Sequence, residues 1–297
     1  MQPIAAWLVA RPMHAVLGLA LTLVLPFGQI FSGAAMVMLV LYSGARKAAL
    51  QALIALAVIA ALSMLTGGSI LEISVNGLLA WTPVFLLAWL MRETRSLTLA
   101  LQVSAIVAMI ATLGFYVVVN DPTAYWIGVL NDLATAFRDI GLTEQARLIA
   151  AQKELIAPQM TMLTVLTSWS MIVLVTVFGY AIYQALPDKR GEFGRFCDLR
   201  FGRVLALVMA VTSVLALVVG AEWIRNFAFV VFAIFWLQGL STVHWLHVVG
   251  PVPFIVLIVI YALLPFLNAL LIMALAVVGY TDEWFDYRSR IGGNKAR

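Results

Sequence analysis

From Pro158 to Pro187 the chain reads PQMTMLTVLTSWSMIVLVTVFGYAIYQALP, thirty residues without one charged side chain. A helix needs about 20 apolar residues to cross the hydrocarbon core of a bilayer. Pro158 suits a first helical turn and Pro187 stops the helix. A barrel strand would alternate apolar and polar side chains over about 10 residues. This stretch does not alternate, so its backbone polar groups can be satisfied in lipid only as a helix.

The same character extends outward from it. Uncharged stretches run at 13–42, 48–71, 73–91, 96–120, 204–221 and 226–281. Pro26 and Gly28 split the first into spans near 13–25 and 28–43, and Gly67 with Gly68 marks a tight turn before 70–91. In the last third, Gly250, Pro251 and Pro253 separate a helix at 226–248 from a stretch that ends near Tyr280. Of the 297 residues 64% are hydrophobic and 11% charged, against about 25% charged in a soluble domain. The expected fold is all-α, a polytopic transmembrane helical bundle of about 8–10 membrane segments. Arg11 ahead of an apolar run resembles a signal peptide, but the spans that follow make it a retained first helix.

Charge placement predicts orientation. Putting Arg11, Arg46/Lys47, Arg92/Arg95, the loop 187–203 and the C-terminal tail inside leaves 14 of the 18 Lys and Arg in the cytoplasm, as the positive-inside rule asks. The net charge of +4 is spread over span ends rather than gathered in one stripe, so no nucleic-acid partner is expected. Both termini are then cytoplasmic. Six crossings precede the inner loop, and an even number must follow it. The stretch 252–280 therefore reads as two half-spans or a re-entrant pair broken near Pro265. The organisation expected is a six-helix unit at 1–186, the basic loop 187–203, C-terminal membrane helices at 204–280 and a tail at 281–297.

Two stretches are not spans. Residues 121–157 hold eight charges, and Trp126, Leu130, Leu133, Phe137 and Ile140 share one helix face. Gly141 breaks that helix before a second amphipathic stretch at about 143–156. A helical hairpin on the outer interface, or capping the bundle, is expected. The loop 187–203 interleaves Arg195, Arg200 and Arg203 with Phe193, Phe196 and Phe201. That pattern fits anionic headgroups, or a docking site for a cytoplasmic partner.

Polar residues inside apolar helices are candidates for function, because burying them unpaired is costly. Gln238, Ser241, His244 and Trp245 share much of one face, with His247 following. They read either as a substrate or proton site or as interhelical bridges near the helix end. Gln29 and Asn268 each follow a Leu-Pro-Phe break, at Leu25-Pro26-Phe27 and Leu264-Pro265-Phe266. They could line a cavity or satisfy backbone groups freed by proline.

The tail Asp282-Glu283-Trp284-Phe285-Asp286-Tyr287-Arg288 has two readings. One is an interfacial anchor whose carboxylates pair Arg288 and Arg290. The other is a lipid-diphosphate site in which Asp282 and Asp286 hold Mg²⁺, though no second acidic motif faces it. Cys197 stands alone and histidines number three, so neither a disulfide, a metal centre nor a cofactor is expected. The chain also lacks a Walker loop, His-Glu-x-x-His and Gly-x-Ser-x-Gly. Any ATPase would be a separate subunit, and the chain itself is not expected to be an enzyme.

The stretch Gln238-Gly239-Leu240-Ser241-Thr242-Val243-His244, with Gly279-Tyr280-Thr281-Asp282-Glu283-Trp284-Phe285-Asp286-Tyr287-Arg288, resembles the YybS-like family of bacterial membrane proteins. Tyr287 stands where that family more usually has Phe. The resemblance implies a bacterial inner-membrane protein and supplies no activity. More distantly, Leu25-Pro26-Phe27-Gly28 and Tyr42-Ser43-Gly44-Ala45-Arg46-Lys47 resemble the S components of energy-coupling-factor importers. That resemblance implies a ligand cavity and separate ATPase and membrane subunits as partners. The helices after residue 203 depart from it. A transport-like, substrate-binding subunit is thus the first functional expectation, and a non-catalytic scaffold recruiting partners is the alternative.

Overall fold

The computed structural model describes residues 1–25, 27–65, 67, 69–263 and 268–293. No strand occurs among them, and the protein is all-α. The helices are α1 (Gln2–Ala10), α2 (Pro12–Val24), α3 (Gly28–Ser43), α4 (Ala45–Leu65), α5 (Ile70–Thr94), α6 (Leu97–Val118) and α7 (Pro122–Asp139). They continue as α8 (Thr143–Ile156), α9 (Met160–Gln184), α10 (Arg203–Val219), α11 (Glu222–Val249), α12 (Phe254–Leu263), α13 (Asn268–Phe285) and α14 (Tyr287–Gly293). Among the described residues five helical runs are long and apolar enough to cross a membrane. Leucines and valines stand open on α6 and α10, as at Val117, Leu217 and Val218. Such helices make the chain a multi-pass membrane protein.

The chain divides into two compact units, one of residues 1–104 and 170–198, the other of 105–169 and 199–297. In the first, α3 is the core: every residue from Ser32 to Leu41 is buried, as expected of a helix apolar on all sides. Its close neighbours are small. A Cβ on Gly179 would meet Val37 Cβ at 2.5 Å and the Ala34 carbonyl at 2.6 Å, so α9 crosses α3 there at backbone distance. Trp81 Nε1–H donates to Ser32 Oγ at 2.9 Å, and the Ser32 hydroxyl donates in turn to the Leu19 carbonyl at 2.9 Å. This relay ties α5, α3 and α2 together. The last carbonyls of a helix lack the full ladder; at the end of α3 the Gly44 amide donates to Val40 O at 3.0 Å, and Arg92 of α5 adds donors to Val40 O at 3.2 Å and Leu41 O at 2.5 Å. A cation there also suits the negative end of the helix dipole. At the N-terminus α1 and α2 meet at Arg11 with a bend of 119°, and His14 Nδ1 donates to the Trp7 carbonyl at 2.9 Å.

In the second unit α7 and α8 form an antiparallel hairpin, closed by Lys153 donating to Asn131 at 2.9 Å and Trp126 donating to Thr161 at 2.8 Å. The buried face of α7 is turned from the expected one. Leu130 and Ala134 are buried and Trp126 and Phe137 partly so, but Leu133 and Ile140 are 42% and 70% exposed. The five-residue pattern marked an apolar arc wider than α8 can cover, and the arc's far side stays open. Thr143–Gln184 forms one helical run of 42 residues, about twice what hydrocarbon requires. The polar stretch α8 is therefore the part outside the span.

α11 and α13 pack against each other at Phe235–Gly279, Gly239–Leu275 and Thr242–Asp282. Helix α12 runs back along the end of α11, since His247 meets Phe254 and His244 meets Tyr261. The expected division of 252–280 thus appears as two helices, while the breaks at Pro26 and at Leu264–Pro265–Phe266 lie outside the described residues. Gly239 and Gly279 face each other at the contact: a Cβ on Gly239 would lie 1.9 Å from the Leu275 carbonyl oxygen, and one on Gly279 2.2 Å from that of Phe235.

Adding that single carbon should separate the helices. Gly239→Ala is expected to lower stability by about 1–3 kcal/mol, read as a fall in Tm of the purified protein. Gly114→Ala on α6, where nothing lies within 4 Å, should be neutral or raise stability by up to about 1 kcal/mol.

Candidate functional site

The polar residues of α11 meet the end of α13 because the glycine contact sets the register. One turn beyond Gly279 stand Asp282 and Glu283, level with Gln238 and Thr242 on the facing helix. All four are buried, and the backbone segment Leu199–Gly202 closes over them. Gln238 Oε1 accepts from the Phe201 amide at 2.7 Å, and its Nε2 donates to the Gly279 carbonyl at 3.0 Å and to Glu283 Oε1 at 2.9 Å. Glu283 Oε1 also accepts from the Gly202 amide at 3.0 Å. Positive φ at Gly202 (91°) lets the chain turn into α10 at that point.

Arg288, on α14, reaches into the same cluster. Its Nε lies 3.1 Å from Asp282 Oδ2, with the side chains 5% and 0% exposed. Its Nη2 donates to Leu199 O and to Thr242 Oγ1, each at 2.9 Å, and lies 3.4 Å from Ser241 Oγ. Ser241 donates to the same Leu199 carbonyl at 3.4 Å. Phe201 packs edge-on against Phe235 with ring centres 5.9 Å apart. At the rim, Arg200 Nη2 meets Asp286 Oδ1 at 2.6 Å. Hydrogen bonding from Ser289 first, and then the Arg200 guanidinium, holds the Asp286 carboxyl below its ordinary value.

The candidates from the sequence therefore part company. Gln238, Ser241, Asp282 and Arg288 converge, joined by Arg200 and Asp286 at the edge. His244 turns to α12: its Nδ1 donates to Leu240 O at 2.8 Å, so its Nε2 is left to accept from the Tyr261 hydroxyl at 3.3 Å. Gln29 is exposed on α3 of the other unit, and the side chain of Asn268 lies outside the described residues. Trp284 is exposed, as is Arg203. Asp282 and Asp286 do not face a common point, each being engaged by a different arginine. Among the described residues no group of three His, Cys, Asp or Glu side chains is arranged to hold a metal ion.

Thr242 was missed from the sequence, and Glu283 was read only as one of the tail's carboxylates, not as a partner of Gln238. Both could have been found by extending the glycine faces one turn, to three or four residues past Gly239 and Gly279. The other partners, the carbonyl of Leu199 and the amides of Phe201 and Gly202, carry no side-chain signature.

The first half of the 187–203 loop belongs to the other unit. There Glu192 is the hub. It accepts from the Tyr183 hydroxyl, from Lys189 at 3.1 Å and from Arg95 at 2.7 Å. Those bonds, Tyr183's foremost, hold its carboxyl below the ordinary 4.5. Tyr180 donates to Gly194 O at 2.7 Å, and the Leu97 amide to Phe193 O at 2.7 Å. Arg195 pairs with Asp198 through two bonds of 2.8 and 3.0 Å, which raise its own pKa.

No protein-family model matches the chain, and no curated protein or solved structure is similar to it at a significant level.

Removing one member of a buried ion pair strands the other, which costs about 3–5 kcal/mol. Arg288→Met should lower the stability of the purified protein by that order in thermal unfolding. Glu192 has a depressed pKa in the folded state. Its contribution is complete above the usual carboxylate range and is lost as pH falls through the lower folded value. Glu192→Gln should accordingly lower Tm at pH 7, with the difference from wild type shrinking as pH falls below the usual carboxylate range.

Proposed function

We propose that this multi-pass protein sits in the bacterial inner membrane with both termini in the cytoplasm, as a non-enzymatic scaffold. It recruits a protein partner through the basic, aromatic loop that carries Arg195, Arg200 and Arg203. The observation that supports this reading is how the polar face of α11 is used. Gln238 and Ser241, the best ligand candidates of the sequence, spend their hydrogen bonds on the chain's own backbone and on Glu283. Glu192 and Tyr180 hold the part of the loop before Leu199 within one unit, and Gln238 holds Phe201 within the other; basic side chains on such held segments suit recognition of an acidic partner. Membership of the YybS-like family is part of the proposal and rests on the Gln238–His244 and Gly279–Arg288 stretches.

A transport-like, substrate-binding subunit working with a separate ATPase is the second reading. Its support is the interrupted segments: the 119° bend between α1 and α2 and the divided return of α12 and α13. Transporters build their sites at such discontinuities.

In-cell crosslinking of the tagged protein, followed by mass spectrometry, tests both readings. Partner recovery should fall at least tenfold when Arg195, Arg200 and Arg203 are replaced by Ala, with membrane insertion unchanged. Recovery that survives the triple substitution removes the docking role. Recovery of an ATPase together with a membrane scaffold subunit puts the transport-like reading first.

A further inference from the structure

The way Leu199–Arg203 is held has a second meaning. The cradle formed by Gln238, Asp282, Glu283, Asp286 and Arg288 reads this segment as a binding site reads a peptide. The Leu199 carbonyl and the Phe201 and Gly202 amides are each matched by a side chain. The Arg200 guanidinium meets a carboxylate, and the Phe201 ring lies against an aromatic edge. We propose that Leu199–Arg203 is a docking segment held shut by residues 282–290, and that its partner, once it is released, presents acidic and aromatic side chains. The proposal rests on the docking reading above and names the partner's chemistry.

Three features make the closure reversible in kind. The first is the use of charge. A permanent staple gains little from a buried ion pair, since apolar groups of the same volume hold at least as well. Here closure depends on Arg288 reaching back to Asp282, and buried ionisable groups in membrane proteins are characteristic of working parts. The second is the joint. Asp286 links α13 to α14 with φ +45°, a left-handed conformation that costs free energy in a residue other than glycine. It is fixed there by Arg200 and Ser289. When Arg200 leaves, the joint is free to relax and to carry Arg288 away from the cluster. The third is what the clasp leaves outside. Arg203 is exposed at the end of the segment and, among the described residues, has no ion-pair partner. An approaching carboxylate meets Arg203 first and then competes with Asp286 for Arg200. The cradle itself shows what satisfies the segment, so a competing partner must offer the same groups: carboxylates for the arginines and a ring for Phe201.

Full-length protein in phosphatidylcholine nanodiscs allows the test. The probe is a fluorescein-labelled peptide of sequence Asp-Glu-Trp-Phe-Asp-Tyr, the chain's own acidic and aromatic stretch, read by anisotropy. Trypsin cleavage after Arg200, timed against cleavage after the exposed Arg190, reports opening. In the intact protein cleavage at Arg200 should lag and probe binding should be weak. Arg288→Ala should speed that cleavage and tighten probe binding at least tenfold, and Phe201→Ala added to it should return binding to the intact level. Equal probe binding by intact and Arg288→Ala protein, or unchanged protection of Arg200, overturns the proposal. Should Arg288→Ala fail to fold, the charge exchange decides. Arg200→Asp alone should expose the bond after buried Phe201 to chymotrypsin, and Arg200→Asp with Asp286→Arg should protect it again. A double variant as open as the single one also overturns the proposal. The docking reading fails separately, in cells, if partner recovery ignores the three arginines whatever the cleavage pattern here.

Discussion

A backbone carbonyl or amide stranded away from water costs several kcal/mol in hydrocarbon, and both units are arranged around that constraint. Inside a helix the ladder meets it, so the difficulty gathers at helix ends and where the chain turns. Near the end of α3 the Gly44 amide and Arg92 of the neighbouring α5 together supply donors to the carbonyls of Val40 and Leu41. The connection into α10 presents two amides and a carbonyl to the interior, and Gln238, Glu283 and Arg288 answer them. Charged and amide side chains sit deep in these units to complete a backbone that changes direction there.

Those completions require close approach, which comes from what the helices lack. α11 and α13 pack through glycines, with the carbonyl of each helix lying where the other's Cβ would be. Without hydrophobic drive between helices in lipid, such contact supplies the packing that holds them together. It also fixes their register, so that Thr242 comes level with Asp282. In the other unit Gly179 does the same for α9 against α3. Polar clusters then form one turn away from each contact, where side chains rather than backbones meet.

Much of the fold was legible because membrane helices advertise themselves. The uncharged stretch between Pro158 and Pro187 became α9, Met160–Gln184, and the stretch beginning at residue 204 became α10, Arg203–Val219. The face of α7 was read too far round, to Leu133 and Ile140, because periodicity reports where apolar residues lie and not how much of the arc a neighbour can cover. The candidate site was half legible. Gln238 and Ser241 stood out as polar residues in an apolar helix, but what they bind is the main chain of residues 199–202. A backbone group looks the same at every position of a sequence. The pairing of Asp286 with Arg200, across more than eighty residues, follows only once α14 is seen to turn at a left-handed joint.

Contact between bare backbones leaves a mark in the sequence that greasy packing does not. Leucine, valine and isoleucine along α11 and α13 can trade places with little loss, so drift would soon erase any likeness carried by them. Gly239 and Gly279 have no substitute of equal size, and each is followed at the next turn by a residue that closes the polar cluster. Distant kin of this chain should therefore be sought by two glycines forty positions apart, the first preceded by an amide and followed by a hydroxyl, the second followed by two acids, whatever apolar text lies between.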